Sequence, residues 1–307
     1  MIKDEKLTFV IPVYNEEDNI KIIYNEINKL NLKIEYNFFF IDDGSTDNSL
    51  NIIQELNEID KRVNCISFSR NFGHQTAIYA GIENSKSDYV ITMDCDLQHP
   101  TALIPNILKQ KNNFDVIQMK KKSHGERNFI FRIFSNIFYL LINKISNLKL
   151  ERNTSDFRLI NKKVINNLKL FKERDKFIRG MIAWSGFDIM YIDYIPEKRQ
   201  FGKAKYNFFK LNELAFFGIL NFSTFPLRLS FYSGFFISIL SFSYGLYAIT
   251  KKLFSPDTSP IGYTDIIAIL TFLGGLQLIF IGVVGLYISK IYEQIKDRPI
   301  YIKKKQI

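Results

Sequence analysis

The sequence predicts an α/β domain with a mostly parallel sheet, followed by a membrane-seeking C-terminal part. Three observations predict it. Short apolar runs alternate with helically spaced segments through the first half of the chain. Each apolar run breaks abruptly into a polar cluster. Two stretches near the C-terminus, Leu229–Thr250 and Ile266–Ser289, carry no charge.

The 307 residues suffice for one large domain with additions, and the net charge is +10. Such a balance suits nucleic acid, anionic lipid or phosphorylated substrates. The basic residues gather beside apolar helices without a nucleic-acid motif, so a nucleic-acid partner is not expected. Cys65 and Cys95 give neither a disulfide framework nor a zinc spacing, which indicates a reducing compartment. The first residues run into a strand without the apolar core of a signal peptide.

Leu7–Val13 reads as a buried first strand, ended by Pro12 and Asn15. Glu16 to Leu30 has helical spacing at Ile20, Ile23 and Ile27, with Asn15 as the expected N-cap. Phe38–Ile41 is a second strand, stopped by Asp42-Asp43-Gly44-Ser45. Val63–Phe68 is a third, followed by Ser69-Arg70-Asn71-Phe72-Gly73-His74 and a helix through Gly81. Tyr89–Met93 is a fourth and Asp115–Met119 a fifth, running into Lys120-Lys121-Lys122. Asp156 closes a segment read as irregular, and Phe187–Ile195 is a later strand.

Parallel sheets bind ligands beyond the carboxyl ends of their strands. Tyr14-Asn15-Glu16, Asp42-Asp43, Arg70-Asn71 and Asp94-x-Asp96 all fall there. The chain has no Gly-x-Gly-x-x-Gly and no Gly-Lys-Ser/Thr, which argues against a Rossmann dinucleotide or P-loop site. An acidic edge that takes an anionic ligand requires a bridging metal, or carboxylates aimed at base and ribose donors.

Arg127–Leu148 mixes basic, aromatic and aliphatic residues at helical spacing, suited to packing or to an anionic membrane. Pro196–Tyr206 is a basic loop of phosphate-binding type. Asn207–Phe225 is amphipathic and aromatic, suited to the membrane interface. The two uncharged stretches, about 22 and 24 residues long, can each span a bilayer core. Their glycines, Gly274, Gly275, Gly282 and Gly285, would let helices approach. The basic tail and N-terminal domain are expected in the cytoplasm. The expected division is residues 1–206, an interfacial piece at 207–228, and a two-helix membrane domain at 229–307.

Val10-Ile-Pro-Val-Tyr-Asn-Glu16, Ile41-Asp-Asp-Gly-Ser45 and Asp94-x-Asp-Leu-Gln98 resemble the signature set of the inverting family-2 glycosyltransferases of GT-A fold. Asp156-Phe-Arg-Leu159, Arg179-Gly180, Trp184-x-Gly186, Gly202-Lys-Ala-Lys-Tyr206 and Gly285–Glu293 extend the likeness to the polyprenyl-phosphate glycosyltransferases. The resemblance implies transfer of a sugar from a nucleotide sugar, with a uridine donor or an amino-sugar nucleotide favoured, to a polyprenyl phosphate such as undecaprenyl phosphate. The alternative acceptor is a lipid-linked oligosaccharide or polysaccharide. It also implies a multi-pass protein of the plasma or inner membrane with a cytoplasmic catalytic domain, membrane-lipid contact, and a homo-oligomer, a tetramer by family analogy.

Residue by residue, the resemblance places Pro12, Tyr14 and Glu16 in the nucleotide pocket and Asp42 or Asp43 on the base. Asp94 would lie by the ribose and diphosphate, and Asp94, Asp96 and Gln98 would hold Mg²⁺ or Mn²⁺. Asp156 would sit near the acceptor, as a base or as an orienting group. Lys120, Lys121, Arg132, Arg199 and Lys205 would meet the acceptor phosphate. His99 stands where relatives often carry an acid or a histidine, and Cys95 is expected to be packing.

Overall fold

The computed structural model describes residues 5–122, 151–197, 225–254 and 263–307. The expected helix at 127–148 with Arg132, the basic loop with Arg199 and Lys205, and the amphipathic segment at 207–224 lie outside them. Contacts divide the chain into two units, Met1–Tyr206 with Arg298–Ile307, and Asn207–Asp297.

The first unit is a mixed eight-stranded sheet with helices on both faces, a GT-A-like arrangement. Its strands are β1 (Lys6–Val13), β2 (Glu35–Asp42), β3 (Val63–Phe68), β4 (Tyr89–Thr92), β5 (Val116–Lys121), β6 (Thr154–Asn161), β7 (Ile189–Tyr194) and β8 (Lys303–Gln306). Their spatial order is β7-β5-β6-β4-β1-β2-β3-β8. The central β4-β1-β2-β3 block is parallel, as the alternation predicts. Strand β6 runs antiparallel to both β4 and β5, and β8 runs antiparallel to β3.

Strand β1 is buried from Leu7 to Val13, which explains a run that is apolar but for Thr8, whose hydroxyl bonds Asn37. Pro12 is tolerated in this central strand because the pairing with β4 ends at Val10↔Thr92, so no β4 partner needs its missing N–H. Helix α1 (Glu17–Lys29) buries Ile20, Ile23 and Ile27 as the spacing requires, and α2 (Ser49–Ile59) buries Ile52, Ile53 and Leu56. Helix α3 (His74–Asn84) lies so close to β1 that a Cβ on Gly81 would meet Val10 Cγ1 at 2.2 Å. Helices α4 (Ile104–Lys109), α5 (Lys162–Leu168) and α6 (Ile178–Ser185) are the remaining α-helices among the described residues of the unit.

Three expectations are corrected here. Asn15 is not the N-cap of α1; Glu16 holds that position, and the Asn15 side chain accepts from Thr46 N instead. Asp156 lies inside strand β6, not in an irregular segment. The basic tail is not a mere appendage of the second unit, because residues 303–306 form an edge strand of the eight-stranded sheet. Cys65 and Ile307 exchange backbone hydrogen bonds of 2.9 Å in both directions. Tyr301 stacks on Phe68 at 4.8 Å and donates to Glu83 at 2.7 Å. Lysines on an exposed edge strand also discourage sheet-to-sheet association. Deleting residues 300–307 removes this ring and these bonds. The expected result is an apparent melting temperature lower by ~5–10 °C in a thermal unfolding scan.

The described part of the second unit is two long helices in contact, α7 (Phe225–Phe254) and α8 (Tyr263–Ile295). Both helices outrun the uncharged stretches that predicted them. Among the described residues, one stretch is long and apolar enough to cross a membrane, Phe272–Ile295 of α8. Serines and tyrosines dilute α7. Several of its hydroxyls bond back to their own helix, Ser230 to Pro226 O at 2.9 Å and Ser238 to Gly234 O at 2.8 Å, which spares them a need for water.

Candidate active site

The site forms at the carboxyl edge of β1, β2, β3 and β4. Two loops are knitted together first. Asn15 N donates to Ser45 Oγ at 3.0 Å, Thr46 N donates to Asn15 Oδ1 at 2.8 Å, and Glu16 N donates to Ser49 Oγ at 3.0 Å. Tyr14 and Asn15 are exposed on this platform, Pro12 is buried beneath it, and Glu16 is half-buried.

Asp42 and Asp43 serve the framework. Asp42 accepts from Ser45 N at 3.0 Å and from Ser67 Oγ at 2.7 Å. Asp43 accepts from Phe72 N at 2.6 Å and Gly73 N at 3.0 Å, so it draws in the loop after β3. Burial pushes the Asp43 carboxyl up to about 6 against the pull of those amides. Gly44, at φ +70°, makes the approach possible, since a Cβ there would lie 2.5 Å from the Arg70 carbonyl carbon. Gly44→Ala is expected to dislodge this loop and to cost about 1–3 kcal/mol of stability, read by chemical denaturation.

Strand pairing builds the centre. The β4–β6 register pairs Tyr89 with Asn161 and Thr92 with Arg158. Continued two residues, it sets position 94 opposite position 156. Asp156 and Arg158 share one face of β6. Arg158 is fully buried, and its Nη2 pairs with Asp156 Oδ1. From α3, Gln75 Nε2 donates to Asp156 Oδ2 at 2.9 Å. His74 Nε2 lies 3.2 Å from Asp94 Oδ1 and 3.5 Å from Asp156 Oδ2. Arg179 on α6 brings Nη2 to 3.8 Å from Asp156 Oδ1.

The Asp94–Gln98 turn is tight. Leu97 adopts φ +60°, a strained conformation for a branched side chain, and Asp96 Oδ1 accepts from Gln98 N at 3.2 Å. His99 is buried, not a surface residue. Its ring stacks on Phe157 at 5.1 Å, and its Nδ1 accepts from Asp94 N at 3.0 Å. It buttresses the turn from within. Cys95 is buried, as expected of packing. Lys120 pairs with Glu151 at 2.9 Å at the end of β5, and Lys121 is half-buried beside it.

Burial works against every charge in this cluster. Asp94 is nevertheless held low by the facing imidazoles of His99 and His74. His99 itself is pushed down by burial, so at neutral pH His74 supplies the positive charge. Against burial, the carboxylates of Asp94 and Asp156 raise His74 well above its usual range. Asp156 is pulled far below the carboxylate range, despite burial, by the His74 hydrogen bond and by Arg158 and Arg179. Gln75 Oε1, His99 Nε2, Arg158 Nε and Nη1, and Arg179 Nε are buried without a hydrogen-bond partner among the described residues. Asp94 Oδ1 meets His74 at ion-pair distance but makes no formed hydrogen bond. Such atoms cost about 1–3 kcal/mol each when unsatisfied, so their concentration marks a place built for polar ligands.

Residues 8–169 match the model of the family described as Glycosyl transferase family 2. The chain belongs to that family. Residues 225–291 match the GtrB C-terminal hairpin. This glycosyltransferase is 40% identical over 304 residues to the SfII prophage-derived bactoprenol glucosyl transferase of Shigella flexneri, covering 98% of each chain. It is 38% identical to the putative glycosyltransferase CsbB of Bacillus subtilis, covering 99% of this chain and 92% of the relative. A solved glucosyl-3-phosphoglycerate synthase from Mycobacterium tuberculosis, in complex with Mn²⁺, UDP and glucosyl-3-phosphoglycerate, aligns over 70% of this chain and 78% of its own. Its identity is 15% and its TM-score 0.48.

In this glycosyltransferase, the residues suit a divalent cation of the hard, oxygen-seeking kind. Asp94 presents a buried carboxylate oxygen, faced by His74 Nε2 at 3.2 Å, close in sequence to the buried Asp96. No group of three or more metal-ligating His, Cys, Asp or Glu side chains converges among the described residues. That donor set fits an ion held by one or two carboxylates that completes its shell with water and substrate phosphate. Sequence reasoning gave no role to His74, Gln75, Arg158 or Arg179. The available signal for Arg158 was its place two residues after Asp156 within an apolar run.

Proposed function

We propose that this enzyme transfers glucose, with inversion, from UDP-glucose to undecaprenyl phosphate at the cytoplasmic face of the membrane. One observation carries the reading: a near-full-length likeness at 40% identity to a bactoprenol glucosyl transferase. The site chemistry supports it. A polyprenyl monophosphate has a second pKa near ~6 and is already largely a dianion at neutral pH. It needs no strong base. Asp156, held ionised by Arg158, orients groups around the acceptor.

The physical difficulty is bringing two anions together. Arg179, Lys120 and Lys121, with Arg132, Arg199 and Lys205, would meet the acceptor phosphate. Pro12, Tyr14 and Glu16 would line the nucleotide pocket, Asp42 and Asp43 would hold its walls, and Asp43 would keep lone pairs for the base. Asp94, Asp96 and Gln98 would hold Mg²⁺ or Mn²⁺, which when bound neutralises the diphosphate that leaves.

The tail strand supports a multi-pass topology. A sheet containing both β1 and β8 lies on one side of a bilayer, so the chain between them crosses an even number of times. If α8 crosses, α7 crosses with it, its hydroxyls bonded to its own backbone.

The test is transfer from a panel of radiolabelled nucleotide sugars to undecaprenyl phosphate in membranes carrying the full chain, with and without EDTA. A glucosylated lipid phosphate whose formation EDTA abolishes is the expected result. Donor binding without any lipid product would redirect the reading to an oligosaccharide or polysaccharide acceptor.

A further inference from the structure

We infer that His74 is a positioning residue for sugar transfer, the side chain that ties Asp94 on the donor side to Asp156 on the acceptor side. The division into sides rests on the function proposed above. Asp156 lies on β6, and Asp94 lies two residues beyond the end of β4, the strand paired antiparallel to β6, so the two carboxylates stand near each other at the sheet edge. Like charges directly opposite repel across a sheet. A single atom, His74 Nε2, stands between them, 3.2 Å from one carboxylate and 3.5 Å from the other.

His74 is not a core residue. Its side chain is 43% exposed, whereas Arg158 and His99 nearby are at 0%. Packing into the apolar core therefore does not account for its placement. The loop that delivers it does. Gly73, at φ +102°, turns the chain so that His74 begins α3. Asp43 fixes the amides of Phe72 and Gly73 from the far side. The next residue, Gln75, also donates to Asp156. The loop after β2, the loop after β3 and strand β6 thus converge on one imidazole. Its removal frees two carboxylates to move apart, and a displacement of about 1 Å at reacting groups costs ~100-fold in rate.

The experiment compares His74→Ala and His74→Gln with wild type in membranes carrying the full chain. UDP-glucose and undecaprenyl phosphate are varied separately. The slow hydrolysis of UDP-glucose to glucose and UDP is read in parallel, because it needs no lipid. The amide nitrogen of glutamine reaches where Nε2 stood and keeps an N–H donor.

The expected result is a ~100-fold lower kcat for His74→Ala, with KM for UDP-glucose within ~3-fold of wild type, and at least ~10-fold of the loss recovered by His74→Gln. An unchanged kcat in His74→Ala overturns the proposal. So does an equal loss in both variants when UDP binding by calorimetry is intact, or a loss confined to KM. If His74→Ala fails to fold, the His74→Gln variant and its kcat decide. Failure of the acceptor reading has a different signature. Wild type then makes no lipid product, while the variant-to-wild-type ratio for hydrolysis still tests His74.

Discussion

Asp156→Ala is expected to lower sugar transfer at least ~1,000-fold and to destabilise the catalytic unit by about 3–5 kcal/mol. The two effects share a cause. Asp156 is the partner of the fully buried Arg158 and faces Arg179, His74 and Gln75. Removing it leaves a guanidinium buried without a counter-charge, alongside two nitrogens that already lack partners. Asp156→Asn keeps the shape and tests the charge alone. The native carboxyl is held well below its usual range, after burial is overcome by His74, Arg158 and Arg179. A depressed native value means that the unfolded chain takes up the proton first as pH falls. The stability from Asp156 is therefore complete above the unfolded value of ~4 and lost as pH drops below it. Chemical denaturation of wild type and Asp156→Asn at pH 7 and at progressively lower pH should show a gap that narrows below about pH 4. A gap independent of pH would remove Asp156 from the role of counter-ion.

The legible parts of this molecule are those where one physical signal dominates. Strands β1 to β4 are largely buried on both faces, so their runs are mostly apolar and each end is marked by a polar break. Parallel order then gathers those breaks at one edge, and the acidic turn at Asp94–Gln98 could be placed before any coordinates. Strand β6 escaped because it carries charge inside the sheet: Asp156 and Arg158 interrupt the run of Phe157, Leu159 and Ile160, and the pattern reads as a turn. Strand β8 escaped for the opposite reason. As an exposed edge it needs no apolar face, and Lys303–Gln306 looks like any basic tail. His74 was hidden because a histidine after a glycine at a helix start is as compatible with solvent as with a site. Only the antiparallel β4–β6 register reveals that two carboxylates flank it.

Asp94 and Asp96 should separate when each is replaced by alanine, and the separation tests what the acidic turn is for. Asp94 faces His74 and His99 as well as any bound ion, so its loss disturbs the whole centre. Transfer by Asp94→Ala should fall at least ~1,000-fold. The Asp96 side chain is buried in the turn, where it accepts from Gln98 N, and none of the contacts described between His74, Asp94 and Asp156 passes through it. Asp96→Ala should fall ~100-fold, with the loss lying in the enzyme's response to the cation. Calorimetric titration with UDP at several Mn²⁺ concentrations distinguishes the roles. If carboxylate and diphosphate share the ion as proposed, wild type binds UDP more tightly as Mn²⁺ rises. Asp96→Ala should lose most of that dependence while keeping metal-free affinity, since the nucleotide contacts proposed for Pro12, Tyr14, Glu16 and Asp43 do not involve it. Full transfer by Asp96→Ala, or a Mn²⁺ dependence equal to wild type, would mean that the second aspartate shapes the turn around Leu97 and holds no ion.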